Sequence, residues 1–185
     1  MTDALPRLEF DQLEPALAEY LKPTVDRLGY FGEYFQATAH VPDALRLFMD
    51  YTKAVKSPLG DNLNELLALT VCAALGADYE RIQHERLAHR LGFGLDWIAA
   101  AAGHPDASVD RLNVEEALAR KLALAVIGDA GRGTSALVAE ATALLGPQRT
   151  VATLLQITRF MMIACLCNSL QLELPVKSVF DSTRP

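Results

Sequence analysis

The segment that most constrains the fold is NELLALTVCAALG at positions 64–76, which is apolar nearly all round and carries a single charge. A helix that is hydrophobic on every side is a buried helix. Alanine and leucine also dominate the rest of the chain, and the alternation of apolar and polar residues that marks strands is nearly absent. The sequence therefore predicts an all-α fold, a single-domain helical bundle with this segment as its central helix.

Helix start and stop signals divide the chain into successive helices. Asn113, with Glu116 three residues later, is typical of a capping box, and we expect Pro23 and Pro175 to end the first and last long helices. No linker or fixed-period repeat is present, so residues 1–185 form one domain, with N-terminal helices at 1–56 and a core at 57–175. The predicted helices cover 11–21, 24–28, 31–40, 42–56, 62–75, 78–91, a short segment around position 97, 113–127, 134–145, and a long segment from position 147.

Three ionisable residues fall on helix faces that the pattern otherwise reserves for the core. At about 100° per residue, the helix at 78–91 places Glu80 and His84 on one stripe with Leu87, and places Glu85 on the opposite, solvent-facing side. Glu65 is the single charge of the central helix. Because burial of ionisable groups is costly unless they are paired or used, Glu65, Glu80 and His84 form a candidate site.

Each of these three residues also has a purely structural interpretation. Glu65 fits the third position of a helix capped by Asn62, which would make it part of a capping box. Glu80 lies in the first turn of its helix, where the helix dipole favours a negative charge. His84 fits a core histidine whose ring is satisfied by Glu80. The pattern alone is compatible with both a structural and a functional cluster.

The spacing E-x11-A-x2-E-x3-H, from Glu65 through Ala77 and Glu80 to His84, resembles the core of the carboxymuconolactone decarboxylase and alkyl hydroperoxidase D superfamily. The redox branch of that family has a glutamate, a C-x-x-C pair and a histidine at these intervals. Here Ala77 and Glu80 occupy the two cysteine positions, and the stretch GADYERIQH is more similar to the decarboxylase-type branch. Segments at 39–42, 94–96 and 168–174 are also similar. The resemblance covers about residues 28–175 and implies a helical bundle of the AhpD-like type.

Resemblance to the decarboxylase branch implies a cofactor-free acid–base lyase that acts on a small carboxylated lactone or keto acid and needs no metal. In this interpretation His84 donates the proton. Glu80 orients the imidazole ring, and Glu65 is a proton relay or an electrostatic partner.

Substrate contacts are expected from Arg81, Tyr79 and Trp97, with Arg81 binding an anionic group of the substrate. His40 and Asn168 are further polar residues that fall near the predicted pocket. Each of these five residues also has a structural interpretation.

Two other functions are compatible with the sequence. One is an alkylhydroperoxidase or peroxiredoxin-like relative that has lost its redox cysteines. Such peroxidases need an activated thiolate and a resolving cysteine, so we expect no dithiol peroxidase activity here. The other is a non-catalytic, oligomeric ligand-binding protein. The three cysteines lack zinc spacing and are expected to be buried filler: Cys72, Cys165 and Cys167.

The composition sets expectations about partners. A hydrophobic content of 51% and a mean hydropathy of +0.15 indicate surplus apolar surface, which favours a homo-oligomer. A net charge of −6 without a basic stripe argues against nucleic acid. The N-terminus lacks the apolar core of a signal peptide, and the longest uncharged apolar stretch, 160–172, is too short to span a bilayer. We expect a cytoplasmic protein with a small-molecule substrate and no membrane partner.

Overall fold

The computed structural model describes residues 5–181, and these residues contain α-helices, short 3-10 turns and loops but no strand. The all-α prediction is confirmed. Two 3-10 turns lie at Phe10–Gln12 and Val109–Arg111. The α-helices are α1 (Pro15–Leu28), α2 (Glu33–Thr38), α3 (Pro42–Lys56), α4 (Asp61–Ala74), α5 (Asp78–Arg90), α6 (Leu95–Ala102), α7 (Val114–Gly128), α8 (Ser135–Leu145) and α9 (Pro147–Leu170).

The local signals for helix ends are strongest at α3 and α7. Helix α3 begins and ends where the sequence predicts, with its proline in the first turn. At α7 the Asn113 side chain accepts a hydrogen bond from the Glu116 N–H at 3.0 Å, and the Glu116 carboxylate accepts one from the Asn113 N–H at 2.9 Å. This reciprocal pair is the predicted capping box.

Two predicted helix ends are wrong. Pro23 lies inside α1, which continues to Leu28. A proline removes one backbone hydrogen bond, but Glu19, whose carbonyl loses that partner, is exposed to water. Helix α9 ends at Leu170, before Pro175, because Gln171 adopts a left-handed backbone with φ 50°.

Helix α4 is the centre of the bundle, as predicted. Its residues from position 63 to position 72 are all buried, and it packs against α5, α6, α7 and α9. Gly76, with φ 63°, turns the chain between α4 and α5 in a backbone region that favours glycine. The turn brings α5 back against α4, so that side chains from the two helices meet.

Helix α9 brings polar groups from the far end of the chain into the core. Gln156 and Arg159 are buried on it, and it packs against α3, α4 and α8. In the described part of the chain, α9 is the one helix long and apolar enough to cross a membrane. Inside the fold, 56% of its most apolar 18-residue segment is buried. The uncharged stretch at 160–172 covers only the C-terminal part of this helix. A core helix meets the same criterion.

The segment that follows α9 folds back over α5 and buries Glu85. Ser178 Oγ donates to Glu85 Oε2 at 2.5 Å, and the Arg81 guanidinium donates to Glu85 Oε1. Arg86 Nη1 donates to the Lys177 carbonyl at 3.3 Å. The prediction that Glu85 faces solvent is therefore wrong. Its helix face is covered by a segment about 90 residues away in sequence, which the pattern of α5 alone does not reveal.

Candidate active site

Glu65 and His84 form a buried pair between α4 and α5. Glu65 is 1% exposed, and its Oε2 atom lies 2.7 Å from His84 Nδ1. The structure excludes the capping interpretation of Glu65, because α4 begins at Asp61 with Gly60 as its N-cap residue. Glu65 is therefore one turn inside the helix and directed at the imidazole.

Glu80 approaches the same ring from its other nitrogen. Its Oε2 atom lies 3.6 Å from His84 Nε2, and the side chains of Glu80 and His84 are 12% and 15% exposed. A separation of 3.6 Å is too long for a hydrogen bond. The imidazole is thus fixed at Nδ1 by Glu65, while Nε2 stays available to another partner. The structure brings Glu65, Glu80 and His84 together.

The two carboxylates determine the charge of the imidazole. Burial by itself lowers the pKa of His84 because it penalises the charged form, but Glu65 and Glu80 outweigh this effect and raise the pKa to about 9. His84 is therefore an imidazolium at neutral pH, with a proton on each nitrogen. The cluster can donate a proton from Nε2.

Phe160 links His84 to a second buried cation. The His84 and Phe160 rings meet edge to face with centroids 5.0 Å apart, and Arg159 Cζ lies 3.9 Å from the centroid of the Phe160 ring. Arg159 therefore stacks on an aromatic face that the imidazole also contacts. Both distances are measured to the centroid of the Phe160 ring, so the Arg159 guanidinium and the His84 imidazole both contact one shared aromatic ring.

A cavity of about 180 Å³ opens beside the His84 ring. Its apolar lining includes Phe35, Phe48 and Ile163, and its polar lining includes Glu80 and Arg159. Sites for small ligands typically combine a mainly apolar wall with a few convergent polar groups. The remaining lining residues are Thr24, Arg27, Leu28, Tyr34, Met49, Thr52, Lys56, Tyr79, Gln83, His84, Leu87 and Arg90.

Arg159 is held in place by a chain of buried amides. Its Nε atom donates to Gln156 Oε1 at 2.8 Å, and Gln156 Nε2 donates to Asn64 Oδ1 at 3.1 Å. Asn64 Nδ2 in turn donates to backbone carbonyls at the start of α4. Burial lowers the pKa of Arg159. Sequence reasoning missed this residue, although an arginine inside an otherwise apolar helix was a signal that could have identified it.

Of the three predicted substrate contacts, one lines the cavity. Tyr79 does so, with its Oη atom accepting a hydrogen bond from the Tyr34 N–H at 3.2 Å, and burial raises its pKa.

The other two predicted substrate contacts, Arg81 and Trp97, do not line this cavity. Arg81 is bonded to Asp78 and to the buried Glu85. Trp97 donates to Glu116 at 3.1 Å and stacks on an adjacent phenylalanine. Each side chain therefore already has polar or aromatic partners outside the cavity lining.

His40 and Asn168 also serve local structure. His40 Nε2 lies 2.8 Å from the Pro6 carbonyl oxygen, and Asn168 Nδ2 donates to the Leu75 carbonyl at 2.9 Å. Both side chains tie separate segments together, and neither lines the cavity.

The cysteines are free thiols. Cys72 and Cys167 are buried, which raises the pKa of both thiols. Cys165 is exposed, so the prediction that all three are buried is wrong for this residue. Within residues 5–181, no group of histidine, cysteine, aspartate and glutamate side chains is arranged to hold a metal ion.

The Carboxymuconolactone decarboxylase family matches residues 42–123, from the start of α3 into α7. This segment contains Glu65, Glu80 and His84 but not Arg159. No curated protein has significant sequence similarity to the chain.

Solved structures share the fold at low sequence identity. The alkylhydroperoxidase AhpD core of an uncharacterized peroxidase-related protein from Ralstonia eutropha has a TM-score of 0.76 and 19% identity, covering 91% of this chain and 90% of that one. A protein of unknown function from Agrobacterium tumefaciens, named as a candidate antioxidant defence protein AhpD, has a TM-score of 0.66 and 17% identity, covering 76% and 96%.

A third structure with the same fold is a cysteine-to-alanine variant of the debrominase Bmp8 in complex with 2,3,4-tribromopyrrole. Its TM-score is 0.78 at 16% identity, covering 94% of this chain and 92% of that one. Identities this low show a shared fold alone. The family match across residues 42–123, which contain the His84 cluster, and the shared fold both make the chain similar to the carboxymuconolactone decarboxylase and AhpD-like superfamily.

Proposed function

We propose that the chain is a cofactor-free acid–base enzyme of the carboxy-lyase type, acting on a small carboxylated lactone or keto acid. The observation that carries the proposal is the His84 imidazolium, which Glu65 holds at Nδ1, which Glu80 flanks at Nε2 at 3.6 Å, and which lines a cavity. A buried cation with a transferable proton, next to a space for a small molecule, is the arrangement that general acid catalysis requires.

The proposed reaction uses the electron pair of the bond that breaks. The bond between the substrate carbon and its carboxylate breaks, carbon dioxide leaves, and the electron pair moves into the conjugated carbonyl to give an enolate. The Nε2 proton of His84 is then transferred to the substrate carbon and the carbonyl re-forms. His84 regains a proton from water, so each turnover consumes one proton.

The two carboxylates have different roles in this proposal. Glu65 accepts the Nδ1 hydrogen bond, which orients the ring and stabilises the imidazolium. Glu80 lies in the cavity wall beside Nε2. Its negative charge opposes a bound carboxylate next to it, so loss of carbon dioxide from that position relieves an unfavourable interaction.

The thiol chemistry of the redox branch does not fit these residues. Ala77 and Glu80 stand at the two cysteine positions, and burial keeps Cys72 and Cys167 in the unreactive thiol form. The debrominase neighbour binds 2,3,4-tribromopyrrole. This supports a small planar ligand in a bundle of this kind, and it leaves the reaction of the present chain to its own side chains.

The test is a screen of small carboxylated lactones and keto acids for carbon dioxide release, with matched histidine variants. His84→Gln should keep the fold and reduce kcat by roughly 10²–10⁴, the usual range for loss of a general acid. His89→Gln is the control, because His89 is exposed on the same helix and should leave kcat unchanged. Equal rates in wild type and His84→Gln would refute the proposed role of His84.

Glu80→Gln separates positioning from charge. The amide keeps the size of the side chain but removes its charge, so we expect a smaller loss of kcat than in His84→Gln. A non-catalytic binding protein would bind compounds of the panel and release no carbon dioxide with any of them.

We further propose that the protein self-associates and acts in the cytoplasm. Large apolar side chains are exposed on α3 and α9, with Leu47 60%, Val151 55% and Leu155 40% exposed. Sedimentation equilibrium at micromolar concentration tests this. A single species of 20.2 kDa would contradict self-association.

A further inference from the structure

Arg159 is a buried cation without a carboxylate partner. Arg159 is 6% exposed as a residue, and among the described residues no aspartate or glutamate oxygen lies within 4.0 Å of the guanidinium. Its single hydrogen bond to a described residue is donated by Nε to Gln156. The two terminal nitrogens, which carry four of the five N–H donors of arginine, are unused by the described part of the chain.

An unpaired charge in the interior is costly unless something compensates for it. The stacking of Arg159 on Phe160 and the bond to Gln156 fix the direction of the guanidinium, but neither supplies a negative charge. Glu80 lies in the same cavity wall, and among the charged groups it has the largest electrostatic effect on the pKa of Arg159. The guanidinium therefore lines the cavity with its donors ready for an anion.

Three further cations line the cavity. They are Arg27, Lys56 and Arg90, and none of them forms an ion pair with a residue that the structure describes. Glu80 is the one carboxylate in the described lining. Since the whole chain carries a net charge of −6, this local excess of cations favours the entry of anions into this cavity.

We propose that Arg159 binds a carboxylate of the substrate and thereby selects small carboxylates with a flat, apolar body. The planar guanidinium matches a carboxylate with two parallel hydrogen bonds. The aromatic and aliphatic wall formed by residues such as Phe35, Phe48 and Ile163 receives the body of the substrate. This inference rests on the proposed function in treating the His84 cavity as the substrate site.

The carboxylate on Arg159 is one that the substrate keeps. A guanidinium stabilises a carboxylate anion, so binding the leaving group there would favour the ground state over the transition state. The carboxylate that is lost belongs beside Glu80, whose negative charge opposes it, and next to the His84 Nε2 proton. The substrate therefore carries a second anionic group, and Arg159 sets its orientation.

The experiment measures binding without turnover. The ligands are benzoate and 2-furoate, and the uncharged controls of the same shape are benzamide and 2-furamide. Each is titrated into wild type, Arg159→Met, Arg159→Lys and Arg46→Met, and binding is measured by calorimetry and NMR. Arg46 is exposed on α3, pairs with Asp43 and lies outside the cavity, so its variant is the control.

We expect the carboxylates to bind wild type and Arg46→Met about tenfold or more tightly than the amides. Arg159→Met should weaken carboxylate binding by roughly 10–100-fold and leave amide binding unchanged, as loss of a charge-assisted bidentate contact requires. Arg159→Lys should bind carboxylates with intermediate affinity. A purely structural role for Arg159 would weaken the acids and the amides equally.

A second variant serves in case Arg159→Met does not fold. Gln156→Leu keeps the guanidinium and removes the acceptor at Nε, so carboxylate affinity should fall by severalfold while amide affinity is kept. Equal affinities for acids and amides, or no carboxylate binding to wild type up to about 10 mM, would overturn the role of Arg159. Carboxylate binding that depends on Arg159, without turnover of any compound, would support this inference and contradict the lyase proposal alone.

Discussion

The interaction between Glu65 and His84 should make the stability of the protein depend on pH in a defined window. Glu65→Gln keeps the size of the side chain and removes the negative charge that lies 2.7 Å from the imidazole. The pKa of His84 is 6.5 in a model peptide and about 9 in the folded protein. Because folding raises this pKa, protonation of His84 stabilises the native state. The stabilisation is complete below the unfolded-state pKa and is lost as the pH rises through the folded-state pKa.

The magnitude follows from the size of the pKa difference. At 1.36 kcal/mol for each pKa unit, the raised pKa of His84, to which Glu65 and Glu80 both contribute, stabilises the native state by about 3 kcal/mol at pH 6.5, about 1.4 kcal/mol at pH 8 and less than about 0.5 kcal/mol at pH 9. Glu65→Gln removes the carboxylate that raises the pKa of His84 most, while Glu80 still raises it and burial still lowers it, so only part of this stabilisation remains in the variant. The variant should therefore be destabilised most near pH 6.5 and progressively less toward pH 9.

The assay is urea denaturation of wild type and Glu65→Gln at half-unit steps from pH 6.5 to pH 9. Costs of the substitution that do not involve protons are the same at every pH, so the slope isolates the titration of His84. Asp61→Asn is the control, because Asp61 is an exposed carboxylate in the first turn of the same helix. A difference between Glu65→Gln and wild type that stays constant over the window would refute the reasoning.

Three further predictions concern the capping box, the C-terminal segment and the thiols. Asn113→Ala should reduce the free energy of unfolding by about 1 kcal/mol in urea denaturation, and an unchanged midpoint would contradict the capping geometry. Ser178→Ala removes a donor from the buried carboxylate of Glu85 and should cost about 1–3 kcal/mol; a loss below about 0.3 kcal/mol would contradict the role of that contact. Replacing all three cysteines with serine should not change the turnover of organic hydroperoxides, whereas turnover that the replacement abolishes would show thiol chemistry.

The fold was predictable because most helix ends carry local signals. The α3 proline, the Asn113–Glu116 capping box and the apolar run of α4 each act within one helix, and the structure reproduces them. The errors arise where distant segments decide. Glu85 looked solvent-facing on its own helix, and the segment that contains Ser178 covers it. Pro23 looked like a helix end, yet the exposed backbone around it tolerates the lost hydrogen bond.

The candidate site was predictable only in part, for the same physical reason. Glu80 and His84 are one turn apart on α5, so helical periodicity alone places them together. The approach of Glu65 depends on how α4 and α5 pack, and the family resemblance supplied that information. Arg159 comes from α9, and its place beside the cavity depends on Gln156 and the chain fold. No local pattern in one sequence encodes such a contact.

The central claim is that His84 is a cation at neutral pH and therefore a proton donor. The direct measurement is an NMR titration of the His84 ring nitrogens in the wild-type protein, with His84→Gln used to assign the resonances. The two flanking carboxylates predict a pKa near 9 and a protonated ring at pH 7. A pKa at or below 6.5 would mean that burial outweighs the carboxylates, that the ring is neutral at pH 7, and that the proposed acid catalysis is wrong.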